Sequence, residues 1–318
     1  MGDLVEQVSQ TGVIVILGPT ATGKSDVALR VARRLNGRII GADSIQVYRG
    51  LDAGSCKPPL EARREIPHEL IDVADLREPF SAGRFARMAA AAIDRARVAG
   101  QTPIVVGGTG LYLRALLRGI APMPQRDDAI RQELYARADR EGPEALHREL
   151  ERLDPPSARR IAARDLQRTV RALEVTRLTG IPFSRHLSDH AGASEAIPAV
   201  KAGLAVDRDE LYRRVDERVD GIFLAGLVGE VAGLLAAGVP PEANAFKALG
   251  YRETLAHLKG GPDLKTTIDL VKRNTRRYAR RQLTWFRAEA GVRWLDAGRL
   301  APDAIAGRIV ELHAGRGD

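Results

Sequence analysis

The eight residues Gly18-Pro19-Thr20-Ala21-Thr22-Gly23-Lys24-Ser25 have the spacing of a loop that holds a phosphate chain. Its glycines let successive backbone N–H groups turn inward, and a helix N-terminus behind it adds partial positive charge. In such a loop Lys24 reaches a phosphate oxygen and the Ser25 hydroxyl binds Mg2+. Which phosphate compound is held is a separate question. A motor ATPase needs a carboxylate on a neighbouring strand tip to handle metal and water. The two candidate tips here read Gly41-Ala42-Asp43-Ser44 and Gly107-Gly108-Thr109-Gly110. The second offers N–H groups and a hydroxyl but no carboxylate, so Asp43 is the acidic group best placed to face the loop. The spacing points to phosphate-chain binding with one carboxylate opposite.

Several elements must position these residues. Residues 13–17 (VIVIL) form a short apolar run bounded by glycines, the pattern of a strand buried on both faces. A helix is expected from Lys24 to Leu35, with Val27, Ala28, Val31, Ala32 and Leu35 on one side. Further strands are expected at 38–41, 103–106 and 202–206, with an Ala-rich helix near 81–99 between the second and third. Strands alternating with helices imply a parallel α/β sheet with right-handed crossovers. The stretch 123–190 lacks a strand pattern and is dense in Arg and Glu, with helices expected near 127–140, 143–152, 157–163 and 165–179. The expected organisation is a sheet core of 1–122 and 200–318, interrupted by a helical insertion of 123–199.

The chain has 318 residues, 44% of them hydrophobic and 28% charged, which excludes a disordered chain. Lys+Arg is 49 against Asp+Glu 41, a net +8 that favours a polyanionic partner, although Arg-rich chains are also basic without one. Only seven of the basic residues are lysines, so Lys24 stands out as a point charge. Cys56 is the single cysteine, which excludes an internal disulfide and suits a cytoplasmic protein. The opening MGDLVEQVSQTG has no signal-peptide pattern, and the apolar stretch from Ala225 to Val239 is too short to span a membrane. In KRNTRRYARR (272–281) six of ten residues are basic and none acidic, and Arg273, Arg276, Arg277 and Arg280 share a helix face. Arg160, Arg164, Arg168 and Arg171 are expected to do much the same in the insertion. Runs without acidic partners fit RNA phosphate.

Seven segments recur in order: GPTATGKS, ADSIQVYRGLDAGSCKP (42–58), PHELIDV (67–73), VVGGTGLYLRALL (105–117), DLQRTVRALEV (165–175), KALGYRE (247–253) and RRQLTWFR (280–287). Together they resemble the bacterial tRNA dimethylallyltransferases, also called tRNA isopentenyltransferases, over residues 12–296. The resemblance implies a P-loop, nucleotide-kinase-like α/β core with an inserted helical domain that grips the anticodon stem-loop. It implies transfer of a dimethylallyl group from dimethylallyl diphosphate to N6 of the adenine just 3′ of the anticodon, with Mg2+. No self-complementary apolar stripe suggests more than a monomer. Asp43 matches the family's general base, and Thr109 a threonine at the breaking bond that also contacts tRNA. Gly18 to Ser25 and Arg218 match the donor diphosphate site. Positions matching tRNA contacts are Asp43, Ser44, Ile45, Gln46, Thr109, Arg131, Gln167, Arg168, Thr169, Val170, Arg171, Lys247, Ala248, Leu249, Gly250, Tyr251 and Arg252. Arg276 and Arg280 of the basic run are added to them. Ile45 stands where the family often has Arg, and Cys56 where it usually has Ala. The chemistry is consistent, because an adenine amine is a weak nucleophile that needs a positioned base. Two rivals remain: an ATP-dependent small-molecule or nucleotide kinase with a basic lid, and an RNA-binding module with an idle phosphate loop.

Overall fold

The computed structural model describes residues 12–191 and 197–315 and divides into two compact units. One comprises Met1–Leu117 with Ile197–Asp318, the other Arg118–Ala196.

The first unit is built on a six-stranded sheet. Its strands are β1 (Val13–Leu17), β2 (Gly37–Gly41), β3 (His68–Glu69), β4 (Thr102–Gly107), β5 (Ala199–Ala205) and β6 (Val292–Asp296), in the order β3-β2-β4-β1-β5-β6. Every pairing is parallel. Side chains alternate along β1, so Val13, Val15 and Leu17 face one layer and Ile14 and Ile16 the other. The first layer holds Phe85, Ala89 and Ile93 of α3 (Ala82–Val98), Tyr112 and Leu116 of α4 (Gly110–Arg118), and Phe286 of α13 (Leu264–Arg287). The second holds Val27 and Val31 of α1 (Lys24–Arg34), and Ile305 and Ile309 of α14 (Pro302–His313). Helices on both faces explain why β1 reads as a continuous apolar run. β1 lies between β4 and β5, so chain order reverses there and a crevice opens at the carboxyl ends of the strands.

Two strands lie outside the sequence expectation. β3 is only two residues long, and β6 (VRWLD) is an edge strand with its charged residues in solvent. Neither carries the uninterrupted apolar run that marks the interior strands. A third apolar cluster joins Val47, Tyr48 and Leu51 after β2 to α11 (Leu227–Ala236) and α12 (Tyr251–Leu258). α10 (Arg208–Leu224) packs along α13. Among the described residues no single helix is long and apolar enough to cross a membrane.

The second unit contains α5 (Asp128–Glu141), α6 (Pro143–Leu153), α7 (Pro155–Arg160), α8 (Leu166–Thr179) and α9 (Phe183–Ala191). Aspartates start three of them: Asp127, Asp154 and Asp165 accept the N–H groups of Ile130, Ser157 and Arg168. Leu134, Leu146, Leu150, Val170 and Leu173 form its core. The expected basic face from Arg160 to Arg171 is corrected here. α7 ends at Arg160, Arg164 lies in the turn that follows, and only Arg168 and Arg171 are on α8, which begins at Leu166.

Candidate active site

The loop after β1 follows its glycines. Gly18 has φ +146°, and a Cβ there would stand 2.5 Å from the Leu204 carbonyl oxygen of β5. The loop ends on the α1 N-terminus, and the Thr22 hydroxyl pins it from within by donating to the Pro19 carbonyl at 2.9 Å. The Lys24 ammonium folds back on the same carbonyl at 2.5 Å. Burial and the Arg218 guanidinium push Lys24 down to about 7, against a smaller upward pull from Asp43. A lysine this poorly solvated beside a second cation is set to accept an anion. Arg218, on α10, makes no ion pair or hydrogen bond among the described residues, and Ser25 is exposed on the first helical turn. Arg218 therefore lies within electrostatic reach of Lys24 beside the loop of Gly18 to Ser25.

Asp43 sits at the β2 tip, half-buried. Its Oδ1 accepts the N–H groups of Ile45 at 2.8 Å and Gln46 at 3.3 Å, which fixes the carboxylate by a local turn. No hydrogen bond among the described residues uses its other oxygen. The β4 tip closes beside it: at Gly107 a Cβ would stand 2.1 Å from the Ala42 carbonyl oxygen. Thr109 donates its N–H to that same carbonyl at 3.3 Å, and its hydroxyl accepts the Ser44 N–H at 3.1 Å. Asp43 and Thr109 are thus held on adjacent strand tips.

Other predicted residues divide by burial and partner. Gln167, Arg168, Lys247 and Arg252 are exposed. Ser44, Ile45, Gln46 and Leu249 are partly exposed, but the Gln46 amide holds the carbonyls of Ser55 and Cys56. Thr169 and Val170 lie in the helical core, and Ala248, Gly250 and Tyr251 are buried. The Tyr251 hydroxyl is engaged with Glu230 at 2.6 Å and the Gly54 N–H at 3.1 Å. Arg131 and Arg171 both close on Glu174, a fully buried carboxylate that also accepts the Asp127 N–H. Arg276 has a partner that its own helix does not supply. It pairs with Asp216 of α10 at 2.9 Å, as Lys272 does with Asp220, so the missing acidic partners come from a neighbouring helix. Arg273, Arg277 and Arg280 are exposed and make no ion pair among the described residues.

Sequence reasoning missed the inner face of α13. Gln282 bridges the phosphate loop and the β4 tip, Tyr278 lies near Thr109, and Trp285 lies against Gly110 under the Arg114 guanidinium. Burial and the Asp43 charge push the Tyr278 hydroxyl up to about 12. Their signal was the spacing 278, 282, 285 on the side of the helix away from Arg273, Arg277 and Arg280. Cys56 is half-buried, and burial raises its thiol.

A phosphate-loop sequence after the first strand of a doubly covered parallel sheet, with Asp43 and Thr109 on two neighbouring strand tips, defines a P-loop-type α/β protein. The family is narrower. The IPP transferase family profile matches residues 46–289. A tRNA dimethylallyltransferase 1 of Trichlorobacter lovleyi is 48% identical over 89% of this chain and 93% of its own length. The tRNA dimethylallyltransferase of Geobacter sulfurreducens is 46% identical over 91% and 93%. Among solved structures, the full-length tRNA isopentenylpyrophosphate transferase of Bacillus halodurans superposes with a TM-score of 0.69. It is 38% identical and covers 96% of this chain and 97% of its own. A eukaryotic dimethylallyltransferase acting on tRNA gives 0.81 at 27% identity, over 96% of this chain and 80% of its own. This chain belongs to the IPP transferase family and is a transferase.

Proposed function

We propose that this chain transfers the dimethylallyl group of dimethylallyl diphosphate to N6 of the adenine immediately 3′ of the anticodon in tRNA. A C–N bond forms as the C–O bond to diphosphate breaks; diphosphate leaves with the electron pair, and the amine proton passes to Asp43. The observation that carries this reading is the Asp43 carboxylate. One oxygen is locked by two backbone N–H groups while the other has no partner among the described residues, beside the crevice of Lys24 and Arg218. A base held in this way contributes about 10²–10⁴-fold. Lys24, Arg218 and the loop N–H groups take up charge developing on the leaving diphosphate, and Thr109 stands where the bond breaks.

No cluster of three or more His, Cys, Asp or Glu side chains among the described residues could hold a resident metal. The exposed Ser25 hydroxyl on the first turn of α1 would instead help to hold an Mg2+ bound together with the diphosphate. Bound there, Mg2+ neutralises part of the leaving group's charge. The target adenine must leave its stack to reach Asp43. Gln167, Arg168, Lys247, Arg252, Arg277 and Arg280 are the exposed side chains proposed to meet the RNA.

The test is transfer of labelled dimethylallyl from its diphosphate to unmodified tRNA with Mg2+, with labelled ATP in parallel. Label on adenine N6 with ATP inert supports the reading. Phosphoryl transfer from ATP without prenylation overturns it in favour of a kinase.

A further inference from the structure

The inner face of α13 carries hydrogen bonds that the reaction above does not use. Gln282 is 7% exposed and employs its whole amide. Its Oε1 accepts the Thr20 N–H of the phosphate loop at 2.9 Å, and its Nε2 donates to the Gly108 carbonyl at 2.7 Å. One turn earlier, the Tyr278 hydroxyl lies near the side chains of both Gln282 and Thr109. Thr109 in turn accepts the Ser44 N–H, and Ser44 adjoins Asp43. A hydrogen-bonded path therefore runs from Thr20 through Gln282 to Gly108, and from its neighbour Thr109 to Ser44, with Tyr278 beside it. It begins at the loop that receives the leaving group and ends at the turn that presents the base.

We infer that Gln282 and Tyr278 are positioning residues for the prenyl transfer, holding the phosphate loop and the Asp43 turn in register across the strand tips. The physical need is clear. Both reacting groups sit on loops, and a displacement of about 1 Å at a reacting centre costs about 10²-fold in rate. A 24-residue helix packed on the sheet through Phe286 is the rigid body to which those loops are tied. Trp285 against Gly110 fixes the same helix face on the β4 tip. Mere packing would need the Tyr278 ring but not its hydroxyl, and the bulk of Gln282 but not both ends of its amide.

The inference rests on the proposed transfer, so one arm of the test avoids that reaction. Binding of inorganic diphosphate with Mg2+ is measured by calorimetry on the full chain. Gln282→Ala, which frees Thr20, is expected to bind about tenfold more weakly, the worth of one lost hydrogen bond in a preorganised loop. Tyr278→Phe is expected to bind as the wild type does. Turnover forms the second arm. Tyr278→Phe, which keeps the ring, is expected to lower kcat about tenfold with KM for tRNA unchanged. In a Thr109→Ala background the same substitution should change kcat by less than about twofold, because its route is already cut. Unchanged diphosphate affinity in Gln282→Ala overturns the loop half. Unchanged kcat in Tyr278→Phe, or effects that multiply with Thr109→Ala, overturns the half that acts through Thr109. A wild type that binds diphosphate but transfers no prenyl group defeats the proposed reaction, while the loop half still stands or falls on Gln282→Ala.

Discussion

The strand tips and the core of the helical unit treat charge in opposite ways. In the helical unit Glu174 is fully buried, yet two guanidiniums and the Asp127 N–H satisfy it and hold its carboxyl down at about 2 despite burial. At the strand tips Lys24 and Arg218 face each other with no ion pair between either and a carboxylate among the described residues, and Lys24 is pushed down to about 7. One arrangement lowers the energy of the chain as it stands. The other leaves unfavourable electrostatics that a bound anion would relieve. A perturbed charge therefore marks a binding site only when its partner is missing.

The comparison can be broken by removing one group from each region. The largest effect is expected at the base. Asp43→Asn keeps the turn to Ile45 and Gln46 but cannot take a proton, so kcat should fall about 10²–10⁴-fold with tRNA affinity unchanged. Unchanged turnover removes Asp43 as the base. Next comes the paired charge. Glu174→Gln leaves Arg131 and Arg171 without their counter-ion and should destabilise the chain by about 3–5 kcal/mol in urea unfolding. Lys24→Met, the matching change at the strand tips, should be neutral or stabilising without ligand; an equal loss from both would erase the contrast. The sign with pH follows. The Glu174 carboxyl titrates lower folded than unfolded, so its contribution is complete above about 4.5 and lost as pH falls toward about 2. Wild type and Glu174→Gln should converge in that window.

The unpaired lysine makes a smaller and opposite prediction. Folded Lys24 titrates near 7 against 10.5 unfolded, so the folded state binds fewer protons and stability rises as pH climbs between those values. Diphosphate should restore the ammonium. At pH 8, binding of Mg2+-diphosphate should take up to about one more proton in wild type than in Lys24→Met, read from calorimetry in buffers of different ionisation enthalpy. Equal proton uptake would mean that Lys24 is already charged in the free site.

The legible parts of the molecule are those whose physics is local. The phosphate loop, the β1 run and the Asp43 turn each follow from a few consecutive residues, because backbone conformation and double-sided burial act over that range. The boundaries of the helical unit's elements were readable from Gly142, Asp154 and Gly180, which stop or start helices by conformation and capping. Long-range partners were not readable. Gln282 meets Thr20 from 262 positions away, and Glu174 gathers Arg131 from 43, so no spacing announces either. β6 was invisible for a related reason: an edge strand needs only one covered face, and Trp294 is 38% exposed. The basic run of α13 misled in part. Its helical face was correctly spaced, but Asp216 and Asp220 reach Arg276 and Lys272 from α10, and a sequence window cannot see the neighbouring helix.

That error yields the finest test of the comparison. Arg273, Arg277 and Arg280 are exposed and unpaired among the described residues, whereas Arg276, on the same helix, is already neutralised by Asp216. A cation releases a counterion from RNA only if its charge is free to replace that counterion. Alanine at Arg277 or Arg280 should therefore lower the slope of log affinity against log salt by about 0.7–0.9 each, with Arg273 a third candidate at the same face. Arg276→Ala should leave the slope unchanged, and Asp216→Asn should steepen it by freeing Arg276. If Arg276→Ala lowers the slope as much as Arg277→Ala, the ion pair opens on the RNA, and pairing in the free protein would no longer separate structural cations from binding ones.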